Sequence, residues 1–213
     1  MNVCNQTYPN KGYDIEKAIV LSVVFIIVLN AAIFVDKKLL KRSLSHGKNR
    51  LIGVNKSFKE EKVLKDICLT LTDNKIYGFV GRNGSGKSVL FKIICGYVIA
   101  DSGKIMIDGK ELGKDMDFPE GLGALIETPG FIWYQSGFEN LRYLARIRNK
   151  INDAQVKDAI RQVGLNPDSK KWVGKYSMGM KQRLGIAQAI MENPDILVLD
   201  EPMNALDEEG VEE

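Results

Sequence analysis

One histidine, His46, serves all 213 residues, and the three cysteines, Cys4, Cys68 and Cys95, form no CxxC pair and no metal-ligand spacing. Cys68 and Cys95 stand in apolar runs and read as packed, reduced thiols. Neither sign of charge prevails: 30 basic against 27 acidic residues leave a net +3, too slight an excess to argue for nucleic acid as a partner. Repeats and low-complexity tracts are missing as well. What remains, 45% hydrophobic and 27% charged, is ordinary for a globular protein. The length admits one domain, or a small domain with an appendage.

Charge is missing altogether from Ala18 to Val35, eighteen residues broken only by Ser22 and Asn30. As a helix this run is about 27 Å long, just enough for a hydrocarbon core near 30 Å. Lys37, Lys38, Lys41, Arg42, Lys48 and Arg50 follow it against the single acid Asp36, whereas Lys11 and Lys17 before it are balanced by Asp14 and Glu16. The positive-inside rule then puts the C-terminal side in the cytoplasm. The expected organisation is an extracytoplasmic segment 1–17, a single membrane span 18–35, a basic linker 36–50 and a cytoplasmic domain 51–213. A buried helix of a soluble fold is the competing reading of 18–35. A cleaved signal peptide fits less well, because the basic n-region is missing.

The most specific motif is Gly81-Arg82-Asn83-Gly84-Ser85-Gly86-Lys87-Ser88. It follows the apolar run Ile76–Val80, expected as a strand, and opens the amphipathic segment Val89–Val98. Strand, glycine-rich loop and helix are the context of a P-loop. Its glycines let backbone N–H groups approach phosphates closely, and the helix N-terminus adds partial positive charge. Lys87 can reach the β- and γ-phosphates and the Ser88 hydroxyl can ligate Mg²⁺.

Around this loop the pattern is α/β. Leu51–Phe58, Val63–Thr72, Ile105–Ile107 before the Asp108-Gly109 turn, and Leu122–Ile126 read as strands. Phe138–Arg148, Ala154–Val163 and Met180–Met191 read as helices, the last with Met180, Leu184, Ala187 and Met191 along one stripe. Ile196–Leu199 reads as a buried parallel strand closed by Asp200 and Glu201. Ligands of a parallel sheet bind at the carboxyl ends of its strands, where Gly81 and Asp200 are both expected. Asp200 can hold the water shell of Mg²⁺, and Glu201 is placed to polarise a water for attack on the γ-phosphate.

Between these halves, Tyr176-Ser177-Met178-Gly179-Met180-Lys181-Gln182-Arg183 resembles the signature motif of ATP-binding cassette (ABC) ATPases, with Met178 and Met180 where Gly and Gln are frequent. Such Met-containing versions resemble the bacitracin- and lantibiotic-exporter type. The resemblance covers 51–213 and implies a three-layer P-loop NTPase fold with an antiparallel β subdomain and a helical subdomain. It implies ATP and Mg²⁺ as ligands, with nucleotide contacts from Phe58 stacking on adenine and from Gly81 through Ser88 and Val89. Ser177 and Gly179 would act on a partner's ATP across a head-to-tail dimer. Glu127 falls where most of the family has a glutamine contacting Mg²⁺ and the attacking water, and Asn204-Ala205-Leu206-Asp207 resembles the loop coupling the two sites. Lys87, Glu127 and Glu201 are thus the candidate catalytic residues, and Ser88, Glu127 and Asp200 the candidate metal ligands.

The family also uses a histidine on a strand after the coupling loop, and His46 cannot fill that role by position. The chain is therefore expected to be an ABC ATPase incomplete at its C-terminus. The reading that follows is an ATP-hydrolysing subunit serving a separate permease, exporting a peptide antibiotic or similar substrate. Two alternatives stand beside it: a membrane-anchored nucleotide-binding regulator with little turnover, and a remnant that does not fold.

Overall fold

In the computed structural model, residues 49–72, 75–127 and 129–202 are described, all of them within the unit spanning 42–213. The expected segment 1–17, the membrane span 18–35, the basic linker through residue 48 with His46, and the loop 204–207 lie outside them; Asn49 and Arg50, expected in the linker, already belong to a strand. No helix among the described residues is long and apolar enough to cross a membrane.

Strands β1 (Asn49–Phe58) and β2 (Glu61–Leu71) form an antiparallel hairpin. Leu51 and Val54, both buried, are three residues apart and would point to opposite faces of a regular strand. The register shifts between them, where Gly53 takes φ +59°, and this bulge turns both side chains inward. Strand β3 (Ser102–Ile107) pairs with the other side of β1, and β4 (Lys110–Glu111) with β3, giving the order β2-β1-β3-β4. Asp108 (φ 48°) and Gly109 (φ 80°) make the two-residue turn between β3 and β4, as their left-handed preference predicts.

Helix α1 (Lys87–Ile94) covers this sheet with Leu90, Phe91, Ile93 and Ile94. Strands β5 (Leu122–Leu125) and β6 (Ile196–Leu199) pair in parallel, Leu125 opposite Leu199, and Val198 enters the core of α1 and the antiparallel sheet. A second core joins α2 (Gly137–Arg148), α3 (Asp153–Gln162) and α4 (Met178–Ile190) around Leu141, Val156, Ile160 and Leu184. Helices α2 and α3 each open with a capping box, Ser136 with Glu139 and Asn152 with Gln155. The Glu139 carboxylate accepts the Ser136 N–H and hydroxyl, which holds its pKa below the usual carboxylate range. Helix α4 also lies directly on β5: a Cβ added to Gly123 would collide with the carbonyl oxygen of Ala189.

Three expectations are corrected. Residues 76–80 form no strand: no ladder partner exists for them among the described residues, and Ile76 and Val80 are 59% and 93% exposed. Strand β6 is parallel as expected but only half buried. Among the described residues it pairs with β5 alone, and Leu197, on the face opposite Val198, is exposed. Cys68 is exposed on β2, since alternation turns Ile67 and Leu69 toward the core instead; Cys95 is fully buried.

The close approach of α4 to β5 makes Gly123→Ala destabilising by about 1–3 kcal/mol through overpacking, whereas Gly130→Ala stays within about 0.5 kcal/mol. A Cβ at Gly130 meets nothing within 4 Å. Urea-denaturation midpoints check both. Burial pushes the Cys95 thiol up to about 12, so little thiolate forms at pH 8. Iodoacetamide at that pH should label Cys68 and spare Cys95 in the native chain, and label both in urea, as read by peptide mass spectrometry.

Candidate functional site

The glycine-rich loop is exposed from Gly81 to Ser85 and ends on buried Gly86. Gly86 takes φ 92° as the N-cap of α1, and a Cβ there would lie 2.9 Å from Leu64 Cδ2 and 3.1 Å from Val63 Cγ1. Only glycine combines that conformation with that approach, so this residue seats the loop on β2. A tight turn within the loop is closed by the Ser85 N–H donating to the Arg82 carbonyl at 3.1 Å. Lys87 opens α1 and folds back, its Nζ donating to the carbonyls of Gly81 (2.8 Å) and Arg82 (3.2 Å). The ammonium is therefore held over the loop. Asn83 and Gly84 form the exposed crest, and Ser88 and Val89 lie half-buried in the first turn of α1.

Phe58 ends β1, opposite Glu61, and is exposed with Lys56 Nζ 5.4 Å from its ring centroid. It shares the hairpin end with Val63, which touches the loop at Gly86. Lys56 is held by Asp101 at 2.7 Å, and this hydrogen bond, with that from the Ser57 N–H, lowers the Asp101 pKa.

Asp200 follows β6 directly. Its N–H donates to the Leu125 carbonyl at 2.8 Å, the side chain is buried, and Oδ1 has no hydrogen-bond partner among the described residues. Leaving a buried charged acceptor unsatisfied costs about 1–3 kcal/mol or more, a cost that a hydrated cation would remove. No group of three or more His, Cys, Asp or Glu side chains is gathered for a metal among the described residues. Mg²⁺ keeps several waters and binds through one or two carboxylates with substrate phosphates, so a buried carboxylate oxygen such as Asp200 Oδ1 is a donor it can use. The donor set fits the group.

Glu201 has a left-handed backbone, φ 47°, and its carbonyl accepts from Gln182 Nε2 at 3.3 Å, so α4 touches the end of β6. Glu127, just beyond β5, is also left-handed (φ 62°), and its Oε1 accepts from Lys92 Nζ at 2.5 Å. Ser177 caps α4 through an N–H from Met180 at 3.1 Å, with Ser177 exposed and Gly179 buried. Helix α4 packs onto the segment behind Glu127, where a Cβ on Gly185 would meet Pro129 Cγ at 2.8 Å.

The fold thus joins the carboxyl ends of β5 and β6, bearing Glu127, Asp200 and Glu201, to the P-loop helix. The link runs through a shared core and through Lys92. Gln182 lies in the signature-like stretch, but its contact with Glu201 has no sequence signal; Lys92 has only its spacing, four residues beyond Ser88 on α1.

The ABC transporter family model matches residues 64–204. The chain is 43% identical over 161 residues to the uncharacterized ABC transporter ATP-binding protein YybJ of Bacillus subtilis (strain 168), covering 76% of this chain and 74% of that one. It is 39% identical over 162 residues to the bacitracin transport ATP-binding protein BcrA of Enterococcus faecalis, with 76% of this chain but only 53% of the relative covered. The match therefore spans about half of BcrA's length. The dimeric structure of MJ0796, a bacterial ABC transporter cassette, superposes with a TM-score of 0.68 at 23% identity, over 77% of this chain and 78% of that one. With two thirds of its residues matched by the family model and such identities to named members, the chain belongs to the ABC transporter family, among its ATP-binding proteins.

Proposed function

We propose that this chain binds and hydrolyses Mg·ATP to drive export of a peptide antibiotic or similar substrate through a separate permease. One observation carries the reading: the buried Asp200 oxygen, without a hydrogen-bond partner among the described residues, directly follows a strand that shares its core with the helix bearing Lys87 and Ser88. Bound Mg²⁺ supplies charge neutralisation at the phosphates. The chain's own residues do the rest. Loop N–H groups and Lys87 bind the triphosphate, while Ser88 and Asp200 hold the metal and its water shell. Glu201 takes a proton from the attacking water. Phe58 offers a ring to the adenine. Ser177 and the start of α4 present an anion-binding helix N-terminus to a second copy in a head-to-tail dimer.

A bacitracin transport protein among the relatives supports the class of cargo. An exposed aromatic platform supports a separate permease. The Trp133 ring meets both Tyr134 and Trp172 edge to face, all three are exposed, and backbone bonds from Val173 and Gly174 to Gln135 and Trp133 stitch together the loops that carry them. Large, pre-ordered aromatics of this kind anchor protein partners. The uncharged run 18–35 with its basic flank is proposed as a membrane anchor that keeps the ATP-binding domain cytoplasmic.

Steady-state phosphate release by the full chain tests the enzyme. Glu201→Gln should lower turnover on the order of 10²-fold or more while Mg·ATP binding stays within a few-fold, and Lys87→Ala should weaken binding itself. Turnover indifferent to Glu201→Gln would refute hydrolysis at this site, and binding without turnover in the wild type would favour the nucleotide-binding regulator. The anchor is checked by fractionation: the full chain should resist carbonate extraction from membranes, and deletion of residues 1–47, which stops short of β1, should release it.

A further inference from the structure

Serine 88 and Lys92 stand at i and i+4 on α1, on one helix face, with their Cβ atoms about 5–6 Å apart. Lys92 donates to Glu127 Oε1 at 2.5 Å, so the carboxylate is tied to α1 one turn beyond the hydroxyl expected to hold the metal. Glu127 keeps a left-handed backbone that residues with a Cβ rarely adopt, while the Pro129 that follows is wedged against Gly185 of α4. The side chains of Lys92 and Glu127 are 30% and 65% exposed, which makes the pair one that water screens and a stronger cation can displace.

We propose that Lys92 is a positioning residue that parks Glu127 away from the phosphates until the metal-loaded nucleotide binds, whereupon the carboxylate exchanges the ammonium for the cation. This rests on the reading of the site as one for Mg·ATP. Glutamate at 127 sets a problem that glutamine would not, since an unpaired carboxylate beside a triphosphate repels it. Lys92 solves it locally. With Glu127 neutralised, metal-free ATP is tolerated; with Lys92 removed, only the metal can screen the carboxylate, and binding becomes more dependent on Mg²⁺. The exchange also gives Glu127 two alternative partners, and through Pro129 and Gly185 its choice bears on the helix that begins with Ser177.

The test is calorimetric titration of ATP into the full chain, with Mg²⁺ and with EDTA, read as the ratio of the two dissociation constants. Lys92→Met should raise that ratio roughly tenfold, the effect of one uncompensated charge in a partly exposed site. Lys92→Arg should restore the wild-type ratio. In a Glu127→Gln background, Lys92→Met should leave the ratio within about twofold, because a residue acting only through Glu127 has nothing left to hold. A ratio unchanged by Lys92→Met, or raised equally in both backgrounds, overturns the proposal while leaving the nucleotide site intact. Failure of the wild type to bind Mg·ATP at all overturns the nucleotide reading, and this proposal with it.

Discussion

Burial of α1 against the antiparallel sheet governs where the phosphate loop can be. Leu90, Phe91, Ile93 and Ile94 meet Leu51, Val54, Leu64, Ile105 and Ile107, with Val198 of β6 in the same cluster. Each such side chain removed from water contributes about 1.5–3 kcal/mol, so the axis of α1 is set by its apolar face rather than by anything at its N-terminus. Lys87 and Ser88 then stand where the first turn places them, and the loop before them has to close onto β2. Gly86 is the joint that permits this, because a side chain there would strike Val63 and Leu64.

The acidic half of the site depends on a different constraint. Strands β5 and β6 run parallel in register, which brings Glu127 and Asp200 to the same end of the pair. Helix α4 lies across β5 at Gly123 and Gly185 and reaches the Glu201 carbonyl through Gln182. Its capped end at Ser177, its packing on Pro129 and its bond to Glu201 make it the element connecting the helical core with the acidic strand ends. Charge is settled pairwise where groups are exposed, as for Lys56 with Asp101 and Lys92 with Glu127. The buried carboxylate oxygen Asp200 Oδ1 has no hydrogen-bond partner among the described residues, and chemistry with a cation is expected there.

Much of the fold was legible because it is written in local pattern. The Met180, Leu184, Ala187 and Met191 stripe packs in the helical core as periodicity requires. Ser177 caps its helix, and Asp108-Gly109 turns between two strands, each from side-chain chemistry confined to a few residues. Segment 76–80 shows where such reading stops. Its apolar residues suit a strand, yet a strand is a relation between two chains of hydrogen-bonding groups, and no composition reveals whether the second is there. The same holds for Leu197, read as buried from an apolar run, since whether a sheet face is covered depends on elements distant in sequence.

What the sequence determined alone was chemistry and order: a glycine-rich loop ending in Lys87 and Ser88, a capped helix after Tyr176, and an apolar strand ending in Asp200 and Glu201. These are legible because each function demands particular residue types at short, rigid spacings. Tertiary structure decided which groups meet. Lys92 and Glu127 are separated by 35 positions, and Gln182 and Glu201 by 19, so nothing local announces either pair. Their encounter follows from how α1 and α4 pack around β5 and β6, a consequence of burying apolar faces that carry none of these charges.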